Sequence, residues 1–246
     1  MKRRIISILL FLSLMIGTLA AVSASQGSPQ YKNKYEQVMA EDGFIYGVVV
    51  PWFDANNYGC DIGSNQVTGR PSLYSASRVT EVFTNCKAIG FNCIRIWLFE
   101  QMEGIRFDSN GNVLGFDEDF MKNFKDLLDI AKSLHVNLEI TLNPHLSFSL
   151  NNISKQTYDK YTQCLFDPAR RAVYMEKIVT PVLNLIKQYQ DNVLAVDVYA
   201  EPEGDVNDSR GNDGSCSWGT TWENMAGFIR EVAAKSGEVM PDMPVT

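Results

Sequence analysis

Histidine is nearly absent from this chain, with only two residues, and the five cysteines (Cys60, Cys86, Cys93, Cys164 and Cys216) include no CxxC pair. These shortages argue against a structural zinc site, which needs closely spaced nitrogen and sulfur ligands. A basic stripe is also missing: the formal charge is −7, so nucleic acid is a poor partner. No glycine-rich phosphate loop follows the first internal apolar run. PWFDANN (51–57) stands there instead, which disfavours a nucleotide-binding open sheet. No apolar span follows the one at the amino terminus, which argues against a multi-pass membrane protein. Low-complexity tracts and a second-domain linker are absent, and no cofactor or metal is implied.

What is present begins with a leader. Lys2, Arg3 and Arg4 precede the apolar run IISILLFLSLMIGTLAAV (5–22), and Val22-Ser23-Ala24 places small residues at the −3 and −1 positions of a signal-peptidase site. Residues 1–24 therefore read as a signal peptide cleaved after Ala24, with an uncleaved anchor as the competing reading, and the protein reads as secreted. Losing those three basic residues takes the formal charge from −7 to −10, which suits a soluble exported protein with a neutral partner. In an oxidising compartment one disulfide is expected among Cys60, Cys164 and Cys216, while Cys86 and Cys93 sit in apolar patterns as inert core residues. Residues 25–43 form an N-terminal extension, and 44–246 are long enough for one large domain.

From Phe44 onward, apolar runs alternate with 3.6-residue patterns. Strands are expected at 44–53, 91–99, 136–143 and 193–200. Helices are expected over 75–88, from Asp117 with an apolar stripe of Phe120, Phe124, Leu127, Leu128, Ala131 and Leu134, from Asp167-Pro168 to about Gln190 with a kink at Pro181, and over 222–235. IRFDSNGNVLGFD (105–117) reads as a β-hairpin inserted after strand two. Strands alternating with helices imply parallel pairing, and long loops after strands with short ones after helices point to an α/β chain of the TIM (β/α)8-barrel type. About four βα units are present, and a doubly wound open sheet is the competing architecture.

Side-chain parity then separates two faces. Ile94, Ile96 and Leu98, then Leu138, Ile140 and Leu142, then Val196 and Val198 form aliphatic sets for the helices. The opposite sets hold Cys93, Arg95, Trp97 and Phe99, then Asn137, Glu139, Thr141 and Asn143, then Asp197, Tyr199 and Glu201. Buried charge is costly unless paired or needed, so this set reads either as a site or as a structural network in which Arg95 pairs with Asp197 or Glu139.

GFNCIRIWLF (90–99), followed two strands later by VLAVDVYAEPE (193–203), resembles the barrel glycoside hydrolases of clan A, with the greatest similarity to family 5 cellulases and mannanases. The resemblance covers strands one to four. It implies that Glu201 is the general acid/base and that Arg95 orients the catalytic carboxylates. It also implies a polar substrate contact at Asn143 or His145. Trp52, Trp97, Tyr199, Trp218 and Trp222 lie at or beyond strand ends, where aromatic faces can stack on sugar rings, with Trp222 equally at home on the apolar face of its helix. The implied chemistry is retaining hydrolysis of a β-linked polysaccharide, which needs two carboxyl groups ~5–5.5 Å apart. Two departures stand out: Ala200 replaces the family's Asn before the acid/base, and the family's strand-seven nucleophile has no counterpart in the four strands recognised.

The leading expectation is therefore a fragment of a secreted β-glycosidase, truncated before strand five and inactive alone. A carbohydrate is the expected partner, with neither nucleic acid nor, after leader cleavage, membrane, and with oligomeric state open. One alternative is a non-catalytic, carbohydrate-binding or dimerising half-barrel. A metal-dependent barrel enzyme using Glu201, Glu203, Asp205 and His145 is the third.

Overall fold

The structure, a computed structural model, describes residues 30–146, 154–207 and 219–246. The signal-peptide region, Cys216 and Trp218 lie outside the described residues. Asn33–Thr246 forms one compact unit. Its parallel sheet comprises β1 (Gly47–Val50), β2 (Cys93–Trp97), β5 (Leu138–Pro144) and β6 (Val193–Ala200), in the order β1-β2-β5-β6. The hairpin β3 (Ile105–Phe107) and β4 (Val113–Phe116) stands apart, antiparallel, after the second sheet strand as its Ser-Asn-Gly turn predicts. Beyond β6, Val245 bridges Val196 in parallel, with Thr246 N–H donating to the Val196 carbonyl at 3.0 Å.

Helices α2 (Ala76–Ile89), α3 (Phe120–Ser133), α5 (Pro168–Tyr174), α6 (Thr180–Lys187) and α7 (Trp222–Val239) fall where periodicity places them. Ser75 caps α2 by accepting from Arg78 N–H, and Thr221 caps α7 through Asn224 N–H. Asp117 serves α3 from two positions outside the N-cap residue Asp119, accepting from Asp119 and Phe120 N–H at 3.0 and 2.7 Å. The long helix expected after Pro168 is interrupted by a π turn at Met175–Val179. Pro181 has no N–H for the Lys177 carbonyl, and the chain meets this by widening one turn rather than by a sharp kink.

Two helices escape the sequence pattern. α1 (Lys34–Asp42) lies in the N-terminal extension and buries only Val38, which packs with Cys93 and Leu194 at the amino ends of β2 and β6. α4 (Lys155–Phe166) is largely polar on its exposed side and buries Tyr158, Thr162, Cys164, Leu165 and Phe166. β1 is shorter than expected; among the described residues it pairs with β2 alone, and Val49 remains 48% exposed. The expected disulfide does not form between Cys60 and Cys164: both thiols are free and buried, as are Cys86 and Cys93. Burial pushes the Cys60 thiol up to about 11 and that of Cys164 higher still, so neither is a ready nucleophile.

Candidate active site

β6 delivers its last residues to the carboxyl end of the sheet, and the chain turns sharply there. Glu201 adopts the left-handed conformation (φ 56°, ψ 48°), which non-glycine residues rarely hold. Such local strain concentrates at functional sites. The Glu201 carbonyl accepts from Gly204 N–H at 3.0 Å, closing a 3-10 turn over Pro202–Asp205. The Glu201 carboxylate is exposed and has no partner among the described residues, so these residues do not supply the partial burial that an acid role calls for.

The same turn carries Asp205 inward to full burial. One oxygen, Oδ2, accepts from Tyr199 Oη (2.8 Å) and Leu146 N–H (2.8 Å) and lies 3.2 Å from His145 Nδ1, while Tyr158 Oη donates to Oδ1 at 3.2 Å. A carboxylate facing Nδ1 fixes the tautomer and orientation of the ring. Gly204 completes the clamp, because a Cβ there would stand 2.4 Å from His145 Nδ1. His145 is thus a held residue beside Glu201's turn. Tyr199, expected as a sugar contact, is turned instead toward Asp205 and sets its ring edge-on to Phe228 at 5.9 Å. Asp205 also bears on the metal reading. Both its oxygens are engaged, and no metal-ligating group of three His, Cys, Asp or Glu exists among the described residues.

Lower in the sheet, parity holds. Arg95, Trp97 and Glu139 are only partly buried while Ile94, Ile96, Leu138 and Ile140 are sealed. Strand register places Arg95 beside Glu139 and Thr141 beside Asp197. Arg95 pairs with Asp197 and donates from Nε to Thr141 Oγ1 at 2.8 Å, and Thr141 Oγ1 donates on to Asp197 Oδ2 at 2.8 Å. Glu139 stands 3.5 Å from the same guanidinium, with burial raising its pKa and Arg95 opposing that rise. Asp197 precedes Glu201 by four residues, which along a strand is ~13 Å. Arg95 thus joins β2, β5 and β6 in one polar network below the turn. Asn143 is likewise fully buried and donates to Tyr174 Oη at 3.0 Å, which makes it a support and not an open substrate contact.

At the carboxyl ends of β1 and β2 lies a second cluster, absent from the sequence expectations except for its indoles. Trp52 is 39% exposed and meets Tyr58 and Trp97 edge-on at 5.2 and 6.5 Å. Phe99, Gln101 and Met102 all take positive φ (52°, 51° and 63°), an uncommon run for non-glycine residues. Buried Phe99 stacks on Phe120 at 5.1 Å, and this packing holds the turn. The turn presents Glu100 to Trp52 Nε1 (2.5 Å) and Gly59 N–H (3.2 Å), and Glu103 to the N–H groups of Ile62 and Gly63. Burial pushes Glu100 up to about 8 and Asp61, bonded to Phe53 N–H, up to about 7. Glu103 is raised well above the usual carboxylate range for the same reason. His145 acts electrostatically on Glu100, which places the β1, β2 and β5 loops around one region. The signal for Glu100 was present: it stands just beyond strand two, as Glu201 stands beyond strand four.

No family model matches the chain. It is 24% identical to the mannan endo-1,4-beta-mannosidase of Mytilus edulis, an alignment covering 82% of this chain and 55% of that protein. The crystal structure of the β-mannanase from the same mussel superposes with a TM-score of 0.62 at 21% identity, covering 82% of this chain and 57% of the other. The β-1,4-D-mannanase of Cryptopygus antarcticus gives 0.61 at 22% identity, with 82% and 56% covered. The chain thus spans about half the length of the relatives it matches. By this likeness the chain shares part of the (β/α)8-barrel fold of those β-mannanases, its four parallel strands and their helices.

Proposed function

We propose that this chain is the acid/base half of a secreted β-glycoside hydrolase, retaining in mechanism and acting on a β-1,4-linked mannan or a related β-linked polysaccharide. The observation that carries this reading is Glu201, set by its left-handed turn at the carboxyl end of β6 in a chain with a mannanase fold. Barrel enzymes build their sites at this end of the strands. In this mechanism Glu201 gives its proton to the leaving glycosidic oxygen, then takes one from the water that hydrolyses the glycosyl intermediate. The nucleophile is expected from a later strand, ~5–5.5 Å from Glu201. His145, oriented by Asp205, and the Trp52 and Trp97 indoles are the sugar contacts; Trp218 is a further candidate outside the described residues. Ala200 has no amide to offer a sugar hydroxyl, so the reading expects another polar group to meet the substrate there. Secretion is part of the proposal and rests on residues 1–24.

The test is hydrolysis of mannohexaose by the full-length protein, followed by proton NMR before anomers equilibrate. First-formed β-anomer is the expected product. An α-anomer formed first overturns the retaining mechanism. Binding of mannohexaose with no cleavage supports instead a carbohydrate-binding barrel, a reading favoured by Ala200 and by Glu201, exposed and without a partner among the described residues.

A further inference from the structure

Glu100 is unlike the other buried carboxyl groups in one respect. Asp61 accepts from Phe53 N–H in its own loop and Glu103 from Ile62 and Gly63 N–H in the loop after β1, both backbone groups, whereas Glu100 holds a partly exposed side chain, the Trp52 indole. Glu100 has one oxygen, Oε2, accepting from both Trp52 Nε1 and Gly59 N–H, while Oε1 has no hydrogen bond among the described residues. The residue is 3% exposed, and the Trp52 ring tied to it is 39% exposed. A carboxyl so anchored does two things: it fixes the rotation of the indole and leaves a single polar atom beside the ring's edge. Flat apolar faces flanked by one polar atom match the alternation of C–H face and hydroxyl rim on a pyranose.

We propose that Trp52 and Glu100 form one sugar subsite at the carboxyl ends of β1 and β2, in which the indole carries a pyranose face and Glu100 Oε1 donates a hydrogen bond to a hydroxyl on its rim. The proposal deepens the glycan-directed reading above and rests on it. Burial holds Glu100 up at about 8, so near neutrality the carboxyl keeps its proton. Because Oε2 already accepts two N–H groups, that proton belongs on Oε1, which becomes a donor. The other charged groups acting on Glu100 are Asp61, which raises it further, and His145, which opposes the rise; Glu103 is itself raised by Glu100. The site is a binding element, distinct from the acid/base on β6.

Glu100→Gln keeps an acceptor for Trp52 Nε1 and Gly59 N–H and a permanent donor at the other position. The experiment measures mannohexaose binding by calorimetry on the full-length protein at pH 6 and pH 9, with Glu201→Gln in every background, the one called wild type included, so that the ligand is not cleaved. Wild-type affinity is expected to fall about tenfold at pH 9, where the proton is lost, while Glu100→Gln holds its affinity at both values. Trp52→Ala is expected to weaken binding at both by a similar factor. Identical pH profiles for wild type and Glu100→Gln overturn the donor role. Unchanged binding by Trp52→Ala overturns the platform. Wild type that binds no mannohexaose at either pH overturns the subsite and the glycan reading together, whereas binding insensitive to both substitutions overturns the subsite alone.

Discussion

At the scale of single residues, Asp205 is the group on which the β6 turn depends. It joins Tyr199, Tyr158, His145 and the Leu146 N–H, which come from three different segments. Asp205→Ala leaves buried hydroxyls without an acceptor and is expected to cost on the order of 3 kcal/mol, read as a fall in denaturant midpoint. Asp205→Asn keeps one acceptor and should lose less. Asp61 makes a prediction of the opposite kind. Its folded pKa, about 7, lies above the ordinary 3.8 because of burial. Stability is therefore complete below about pH 4, where both states are protonated. It declines as pH rises toward 7, because the unfolded chain ionises first, and levels off once the folded carboxyl ionises. Asp61→Asn should melt with wild type at pH 4 and several degrees above it at pH 8. Equal melting temperatures at pH 8 would show that Asp61 is ionised in the fold at little cost.

At the scale of elements, Arg171 fastens the helices behind the site. It is 2% exposed and donates to the carbonyls of Leu165, Phe166 and Asn224 as well as to Glu231, so it joins α4, α5 and α7. Arg171→Met is expected to cost on the order of 3 kcal/mol in urea unfolding, because three carbonyls lose their donor. Glu231→Gln should cost less than about 1 kcal/mol, since that carboxylate is half exposed. Elements with strong periodicity and caps were legible in the sequence: α2 with Ser75, α5 with Asp167-Pro168, the hairpin with its Asn-Gly turn, and β6 to the residue. α1 and α4 were not. Each buries few or mixed side chains, and their caps at Asn33 and Ser154 sit without an apolar stripe to announce them. The π turn was also hidden, since Pro181 signals a disturbance without fixing its form.

At the scale of the whole molecule, the sheet ends at β1 on one side, and Phe44, Tyr46 and Val49 near that edge are 60%, 49% and 48% exposed. An unpaired parallel edge with apolar neighbours is a template for association. The 246-residue chain expressed by itself is therefore expected to be catalytically silent and to elute as oligomers on size exclusion, and a monodisperse monomer would contradict this. The site was legible in part at this scale. Strand parity marked the polar face, and the resemblance marked Glu201, which the structure sets in a left-handed turn just beyond β6. Parity cannot tell an open contact from a bonded support: Arg95, Asn143 and Tyr199, all expected as contacts, are hydrogen-bonded to Asp197, Tyr174 and Asp205. The strained turn at Phe99–Met102 depends on packing against Phe120, a contact distant in sequence, and no local pattern reveals it.

The central claim is that Glu201 moves the proton. Its direct test is turnover of β-1,4-mannan by the full-length protein carrying Glu201→Gln, which preserves size and removes the acid. The account predicts a kcat lower by about 10²–10⁴-fold with mannan binding retained. A kcat within a few fold of wild type would contradict it.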